Sequence, residues 1–169
     1  MWNDTDIPLA LFLTFRAYGT WLHGDERGSI DRHNNVYGTP RIQPNKHFEA
    51  ISQARLKFSP VRLDAQRRVS IENSVRETAS RRGWGLWAFN IRTNHVHIVT
   101  AVAGKDPDLV LGAYKANATR WLRKDGLWKY DHSPWAEKGS KRRLWNERHV
   151  EAAIDYVLYG QGPDLPKFD

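Results

Sequence analysis

Two histidines and one tyrosine are the residues of this chain best suited to chemistry. His95 and His97 are separated by a single residue, Val96. Alternate residues of a β-strand point to the same face, so the two imidazoles would project together and could hold one divalent metal ion. Two ordinary surface histidines are the alternative interpretation, because a His-x-His triplet also arises by chance.

Tyr156 is the candidate nucleophile, since a tyrosine hydroxyl can form a covalent bond to a substrate. It lies in residues 150–161 (VEAAIDYVLYGQ), which have the pattern of an amphipathic helix. Tyr156 falls roughly 130° from the apolar stripe of this helix and would point away from the core packing. A tyrosine at the edge of an amphipathic helix is the alternative. The stripe consists of Val150, Ala153, Ile154, Val157 and Leu158.

The histidine pair opens the second strand of a predicted β-hairpin. Residues 86–91 (LWAFNI) and 95–102 (HVHIVTAV) both have strand-like composition, and the polar residues 92–94 between them are short enough for a turn. Val96 and Ile98 then point into the core, opposite to the histidines.

The remaining segments predict a strand before this hairpin, three helices, and further strands before the last helix. Residues 9–18 predict a buried strand, and residues 19–59 form a long irregular stretch without a clear period. Capping residues and glycines predict helices over 59–82, 106–125 and 147–159. Residues 135–145 (WAEKGSKRRLW) predict two short strands around a basic turn at 138–143.

This order of elements predicts an α+β fold. We expect a ferredoxin-like βαββαβ antiparallel sheet with helices on one face, followed by a C-terminal helix that carries the tyrosine. The chain has 169 residues, so we expect one domain over residues 1–169, with residues 19–59 as an irregular insertion.

Charge and composition favour a polyanionic partner. The formal net charge is +7 and the sequence pI is about 9.8, values typical of nucleic-acid-binding proteins, although a basic surface alone is the alternative. The chain has no cysteine, which excludes disulfides and thiolate chemistry. It also has no apolar run long enough for a membrane span and no signal-peptide pattern, so a cytoplasmic location is expected.

Cationic and aromatic side chains outside the histidine strand are candidates for nucleic-acid contact. Some would bind backbone phosphates and others would stack on an unpaired base, with a solvated polar loop or turn as the alternative. These candidates are Arg16, Trp21 and Arg27 near the first strand, and Lys138, Lys141, Arg142 and Arg143 in the basic turn.

Together these features resemble the single-tyrosine HUH transposases of small bacterial insertion sequences, including the REP-associated tyrosine transposases. The resemblance rests on residues 93–99 (TNHVHIV), on the element order from about residue 9 to residue 161, and on Tyr156-Val157 in the last helix. Residues 19–59 have no counterpart that we can assign in the minimal members of the family.

The resemblance implies a metal-dependent enzyme that cuts and rejoins single-stranded DNA. It implies that His95 and His97 hold Mg²⁺ or Mn²⁺ and that Tyr156 attacks the scissile phosphate, giving a 5′-phosphotyrosine and a free 3′-hydroxyl. It also implies hairpin-forming element ends as the DNA partner. Family members often work as homodimers, although related proteins are monomeric.

One position departs from the family pattern. The family often has Gln or Asn four residues after the tyrosine, completing the metal site, and here Gly160 occupies that position with Gln161 next to it. Gln161 would reach the metal only if the helix ends or bulges near Gly160. Tyr159 is a second candidate nucleophile that lacks the motif position.

Two other functions are consistent with the same residues. A non-catalytic module of ferredoxin-like fold could bind single-stranded nucleic acid through exposed aromatics. A different metal-dependent hydrolase could use the histidines without a tyrosine nucleophile, and its product would carry no protein adduct.

Overall fold

The computed structural model describes residues 6–20, 50, 54 and 56–169. Trp21, Arg27 and most of the predicted irregular stretch over residues 19–59 lie outside the described residues. Four strands and three helices occupy the described part of the chain, in the predicted order for a ferredoxin-like unit. They are β1 (Ala10–Arg16), α1 (Ala65–Arg82), β2 (Gly85–Ile91), β3 (His95–Ala101), α2 (Pro107–Lys124), β4 (Ser140–Leu144) and α3 (Glu147–Tyr159).

The four strands form one antiparallel sheet in the order β2-β3-β1-β4. The predicted hairpin is β2–β3, and β1 is inserted between β3 and β4, as a ferredoxin-like unit requires. In the register of β1 with β3, Thr14 is paired with His97 and Arg16 with His95. The register therefore places two polar residues of β1 directly across from the histidines.

The two faces of the sheet are covered by different helices. α1 and α2 pack on the face formed by Leu11, Leu13 and Phe15 of β1 and by Val96 and Ile98 of β3, all of which are fully buried. α3 packs on the opposite face, where its buried residues contact a second, smaller core. The predicted arrangement of helices on one face thus holds for α1 and α2, and α3 covers the face that carries the histidines. This second core contains Ala10, Ala88, Val99, Leu144, Val150, Ala153 and Val157.

Two element boundaries differ from the sequence prediction. α1 begins at Ala65 and not at Ser59, because the chain before it is extended and the amide N–H of Leu63 donates to Thr93 O at 2.7 Å. Asp64 is the N-cap, and its side chain accepts from the amide of Arg67 at 2.9 Å.

The predicted basic turn is also corrected. Lys141, Arg142 and Arg143 lie within β4. In place of the first predicted short strand there is a single bridge between Trp135 and Ala17, just after the end of β1. Only Lys138, with a φ of 62°, lies in the turn that precedes the strand. In the described ranges, no helix is both long and apolar enough to cross a membrane.

Candidate active site

The histidine pair lies on the α3 side of the sheet, as alternation along β3 predicts. His97 is only 3% exposed, and His95 is half-buried at the start of the strand. Their ring centroids are 4.6 Å apart. The two imidazoles therefore face one common volume between the sheet and the end of α3.

Each imidazole is oriented by a hydrogen bond at its Nδ1 atom. His97 Nδ1 lies 2.7 Å from the Oγ1 of Thr14, its cross-strand partner. His95 Nδ1 lies 2.6 Å from Asn94 Oδ1, which accepts the Nδ1 proton. Hydrogen bonds of this kind fix the ring orientation of metal-binding histidines, and where Nδ1 is the donor they leave Nε2 with a lone pair for a metal ion.

Gln161 reaches the histidine pair because α3 ends early enough. The last helical residue is Tyr159, Gly160 is the C-cap, and the chain then turns so that Gln161 Oε1 lies 3.1 Å from His95 Nε2. The amide group of Gln161 also donates from its Nε2 to Tyr156 O at 3.1 Å, which orients the oxygen toward the histidine. From the sequence, this contact was expected only if the helix ended near Gly160, and the helix does end there.

Tyr156 lies on α3 beside His97. Its ring centroid is 5.6 Å from that of His97 and 6.0 Å from that of Phe12, in edge-on geometry. The residue is 39% exposed, and its ring contacts two aromatic neighbours on the sheet. Tyr159, the second candidate, is 78% exposed.

The buried stripe of α3 holds this end of the helix on the sheet. Val150, Ala153 and Val157 are buried as predicted, whereas Leu158 is 44% exposed and does not belong to the stripe. Asn90 on β2 adds a polar anchor, since its Nδ2 donates to Val157 O at 2.9 Å. The backbone on both sides of Tyr156 is therefore fixed to the sheet.

The donor atoms fit a divalent metal ion. His95 Nε2 and Gln161 Oε1 lie 3.1 Å apart within hydrogen-bonding distance, and a cation held by the deprotonated imidazole nitrogen and the amide oxygen would take the place of this hydrogen bond. Among the residues that the structure describes, no three His, Asp or Glu side chains cluster, so an amide oxygen would be the third protein ligand. Imidazole nitrogens and an amide oxygen are both ligand types that bind divalent metal ions.

The predicted cationic residues separate into two groups in the structure. Arg16 pairs across the sheet with His95, and burial lowers the pKa of its guanidinium. Arg142 pairs with Phe12, so it lies on the α3 side of the sheet together with the histidines. Lys141 lies on the other side and forms an ion pair with Asp108.

The other predicted contacts are not brought to the site. Arg143 pairs with Leu11 and is exposed, and Lys138 lies in the turn before β4. Sequence reasoning assigned no role to Thr14 or Asn90. A signal for Thr14 was available, because it is a polar residue in an otherwise apolar strand, but its partner depends on the register with β3.

Comparisons with known proteins identify structures of transposases. The fold has a TM-score of 0.48 to a REP-associated tyrosine transposase bound to a REP hairpin, at 12% identity over 93% of this chain and 69% of that chain. It has a TM-score of 0.47 to the crystal structure of a proposed transposase from Deinococcus radiodurans R1, at 15% identity over 96% of this chain and 97% of that chain. No protein-family profile and no curated protein sequence matches the chain.

Proposed function

We propose that this protein is a metal-dependent endonuclease and strand transferase of DNA transposition, which acts on single-stranded DNA through a 5′-phosphotyrosine intermediate. The observation that carries the proposal is the position of Tyr156. Its ring is 5.6 Å from the ring of His97, while Gln161 on the same helix end contacts His95. The proposed nucleophile and the proposed metal ligands therefore lie on the same side of the sheet.

Each residue has a role in the proposed reaction. When bound by His95, His97 and Gln161, Mg²⁺ or Mn²⁺ would supply Lewis-acid chemistry to the scissile phosphate. The Tyr156 hydroxyl oxygen attacks phosphorus and loses its proton, and the bond from phosphorus to the 3′-oxygen breaks. The leaving 3′-oxygen takes up a proton. A 3′-hydroxyl from another strand reverses the step and joins the ends, so no ATP is needed.

Accessibility supports Tyr156 as the nucleophile over a buried tyrosine such as Tyr114. Tyr114 is a fully buried residue of α2, and burial raises its pKa to about 12, which disfavours the phenolate. Tyr156 is 39% exposed and lies beside His97, at the proposed metal site.

The substrate proposal rests on charge and on the resemblance. Arg16 and Arg142 flank the histidines and Phe12 on the α3 side of the sheet, where cationic side chains would bind backbone phosphates. The net charge of +7 favours a polyanion. Hairpin-forming ends of a mobile element are the DNA partner that the resemblance implies.

The test is a covalent-adduct assay. Protein, a labelled pool of single-stranded DNA hairpins and Mn²⁺ are incubated and separated on denaturing gels. We expect a slowly migrating protein–DNA adduct that is lost with EDTA, in Tyr156→Phe and in His97→Ala. Tyr114→Phe is the matched control, because it removes a tyrosine hydroxyl outside the site, and it should form the adduct.

The other outcomes select the alternatives. If DNA is cut without an adduct, and Tyr156→Phe still cuts it, the protein is a hydrolase that does not use the tyrosine. An adduct lost only in Tyr159→Phe would transfer the nucleophile to Tyr159. Binding of hairpins with neither cleavage nor Mn²⁺ affinity would identify a non-catalytic single-stranded nucleic-acid-binding module.

A further inference from the structure

Residues 160–169, here called the C-terminal strap, connect the candidate active site to the beginning of α1. The strap follows α3 and carries Gln161 near its start. Arg92, in the β2–β3 turn, donates from Nη2 to Pro163 O at 3.0 Å. Two further anchors hold the far end of the strap at the N-terminus of α1, so it is fastened to the body of the domain along its length.

Arg68 of α1 is the buried anchor. It is 8% exposed, and it donates from Nη1 to Leu63 O at 2.7 Å and from Nη2 to Pro166 O at 2.6 Å. A guanidinium removed from water needs such acceptors, because an uncompensated buried charge is strongly destabilising. One of the two acceptors, Pro166 O, belongs to the strap, so the strap helps to compensate the buried charge of Arg68.

Asp169 is the second anchor. One carboxylate oxygen accepts from the amide of Ala65 at the first turn of α1, and the other accepts from Arg62 Nη2 at 2.8 Å and lies 3.6 Å from Arg68 Nη1. The first amides of a helix have no partner within the helix and favour negative charge. The carboxylate therefore meets both a helix N-terminus and two guanidinium groups.

The contacts of Gln161 at the site are too few to order the strap. They consist of two 3.1 Å contacts, to His95 Nε2 and to Tyr156 O. The net stabilisation from one hydrogen bond is comparable to the cost of ordering one residue of backbone. Arg92 adds one exposed hydrogen bond at Pro163, so the order of the strap depends on the further attachments at its far end.

We propose that Arg68 and Asp169 are positioning residues for Gln161, which they hold at the histidine pair by fixing the strap to the N-terminus of α1. This inference rests on the proposed function for the role of Gln161 as a metal ligand. The attachment itself is a property of the metal-free protein, and it can be measured without any activity.

The first measurement is NMR of the Gln161 side-chain amide in metal-free protein. In the wild type we expect dispersed resonances with slowed hydrogen exchange. In Asp169→Asn and in Arg68→Lys they should move toward the values of a free glutamine. Asp131→Asn and Arg76→Lys are matched controls, because these residues are exposed and lie outside the strap contacts, and both should keep the wild-type resonances.

The second measurement is a double-mutant cycle on Mn²⁺ affinity. Asp169→Asn should weaken binding by about tenfold, the lower end of the range for residues that orient metal ligands. In a Gln161→Ala background the same substitution should have no further effect, because its target is already removed. Asp169→Asn keeps the buried guanidinium, so it remains informative if Arg68→Lys does not fold.

The proposal is overturned if both anchor variants keep the wild-type Gln161 resonances. It is also overturned if Asp169→Asn weakens Mn²⁺ binding as much in the Gln161→Ala background as in the wild type. The proposed function fails separately, through the absence of a tyrosine–DNA adduct. In that case, resonances that still move toward free glutamine would leave the strap attachment established.

Discussion

Gln161 Oε1 lies 3.1 Å from His95 Nε2, although the two residues are 66 positions apart in the chain. The contact depends on Gly160, the C-cap residue that ends the helix just before Gln161. A Cβ atom at Gly160 would lie 2.8 Å from Tyr156 O and 3.0 Å from Tyr156 Cδ2. Gly160 occupies the position where the HUH transposases that this chain resembles often have Gln or Asn. In this structure a side chain at that position would collide with the tyrosine.

Gly160→Ala should therefore impair the site. The added methyl group would push against the backbone oxygen of Tyr156, which cannot move without shifting the helix end. Because small misplacements of reacting groups are costly, we expect adduct formation to slow by about tenfold to a hundredfold. Gly112→Ala in α2 is the matched control, since nothing lies within 4 Å of its added Cβ. It should form the adduct at the wild-type rate and gain about 1 kcal/mol of stability. Equal rates for Gly160→Ala and wild type would contradict this account.

Thr14→Val should weaken metal binding without removing a ligand. The substitution keeps the shape of the side chain and removes the 2.7 Å hydrogen bond to His97 Nδ1. Loss of such a partner typically costs about tenfold to a hundredfold in metal affinity, because the imidazole is no longer oriented. Titration calorimetry with Mn²⁺ measures the effect. Thr14→Ser keeps the hydroxyl and should bind Mn²⁺ nearly as the wild type does. If the valine variant binds equally well, the hydrogen bond has no part in the site.

Asn90→Ala should loosen the end of α3. Asn90 Nδ2 donates to Val157 O, one of the last carbonyl groups of the helix, and the last turn has no basic residue to interact with them. We expect a loss of about 1 kcal/mol in the free energy of unfolding, measured with urea. Adduct formation should also slow, because Tyr156 precedes the anchored residue.

Asn90→Asp provides the sharper comparison at this position. It places an acceptor against the carbonyl of Val157 and should destabilise the protein more than alanine does. Asn73→Ala, at an exposed position of α1, should leave the adduct rate unchanged. An aspartate variant as stable and as active as the wild type would show that the hydrogen bond does not hold the helix end.

The parts of the fold with a strong local pattern were predictable from the sequence. α3 begins at Glu147 and ends at Tyr159 as predicted, and Val96 and Ile98 are fully buried between the histidines and the helical layer. In both cases the periodicity of apolar residues settles the element and its buried face without knowledge of its neighbours.

The start of α1 depended on tertiary contacts that no local pattern contains. Ser59-Pro60 has the composition of a helix start, but Leu63 is held in an extended conformation by its hydrogen bond to Thr93. The strand formed by the basic residues after Trp135 also depended on tertiary contacts. They form β4 because β1 offers an edge for pairing, and only this pairing shows that Arg142 shares a face with Phe12. Likewise, the contact of Thr14 with His97 follows from the register of two strands distant in the chain.

The attachment of the strap should weaken at acid pH. The hydrogen bond from the Ala65 amide lowers the pKa of the Asp169 carboxyl, with Arg62 and Arg68 acting in the same direction. A carboxyl whose pKa is lower in the folded state stabilises the protein above its unfolded pKa, which is about 3.9. That stabilisation is lost as the pH falls through the lower, folded pKa. The two arginines stay charged throughout, so protonation of the carboxyl is the event that breaks these contacts.

The measurement compares wild type with Asp169→Asn in urea unfolding at a series of pH values. The side chain of the amide variant cannot ionise, and the other carboxyls titrate alike in both proteins, so the difference isolates the side-chain carboxyl of Asp169. We expect the wild type to be more stable by a constant amount from about pH 7 to pH 5, with the difference shrinking below about pH 4. A difference that grows as the pH falls would reverse the sign of the linkage and would show that the carboxylate is not stabilised at the N-terminus of α1.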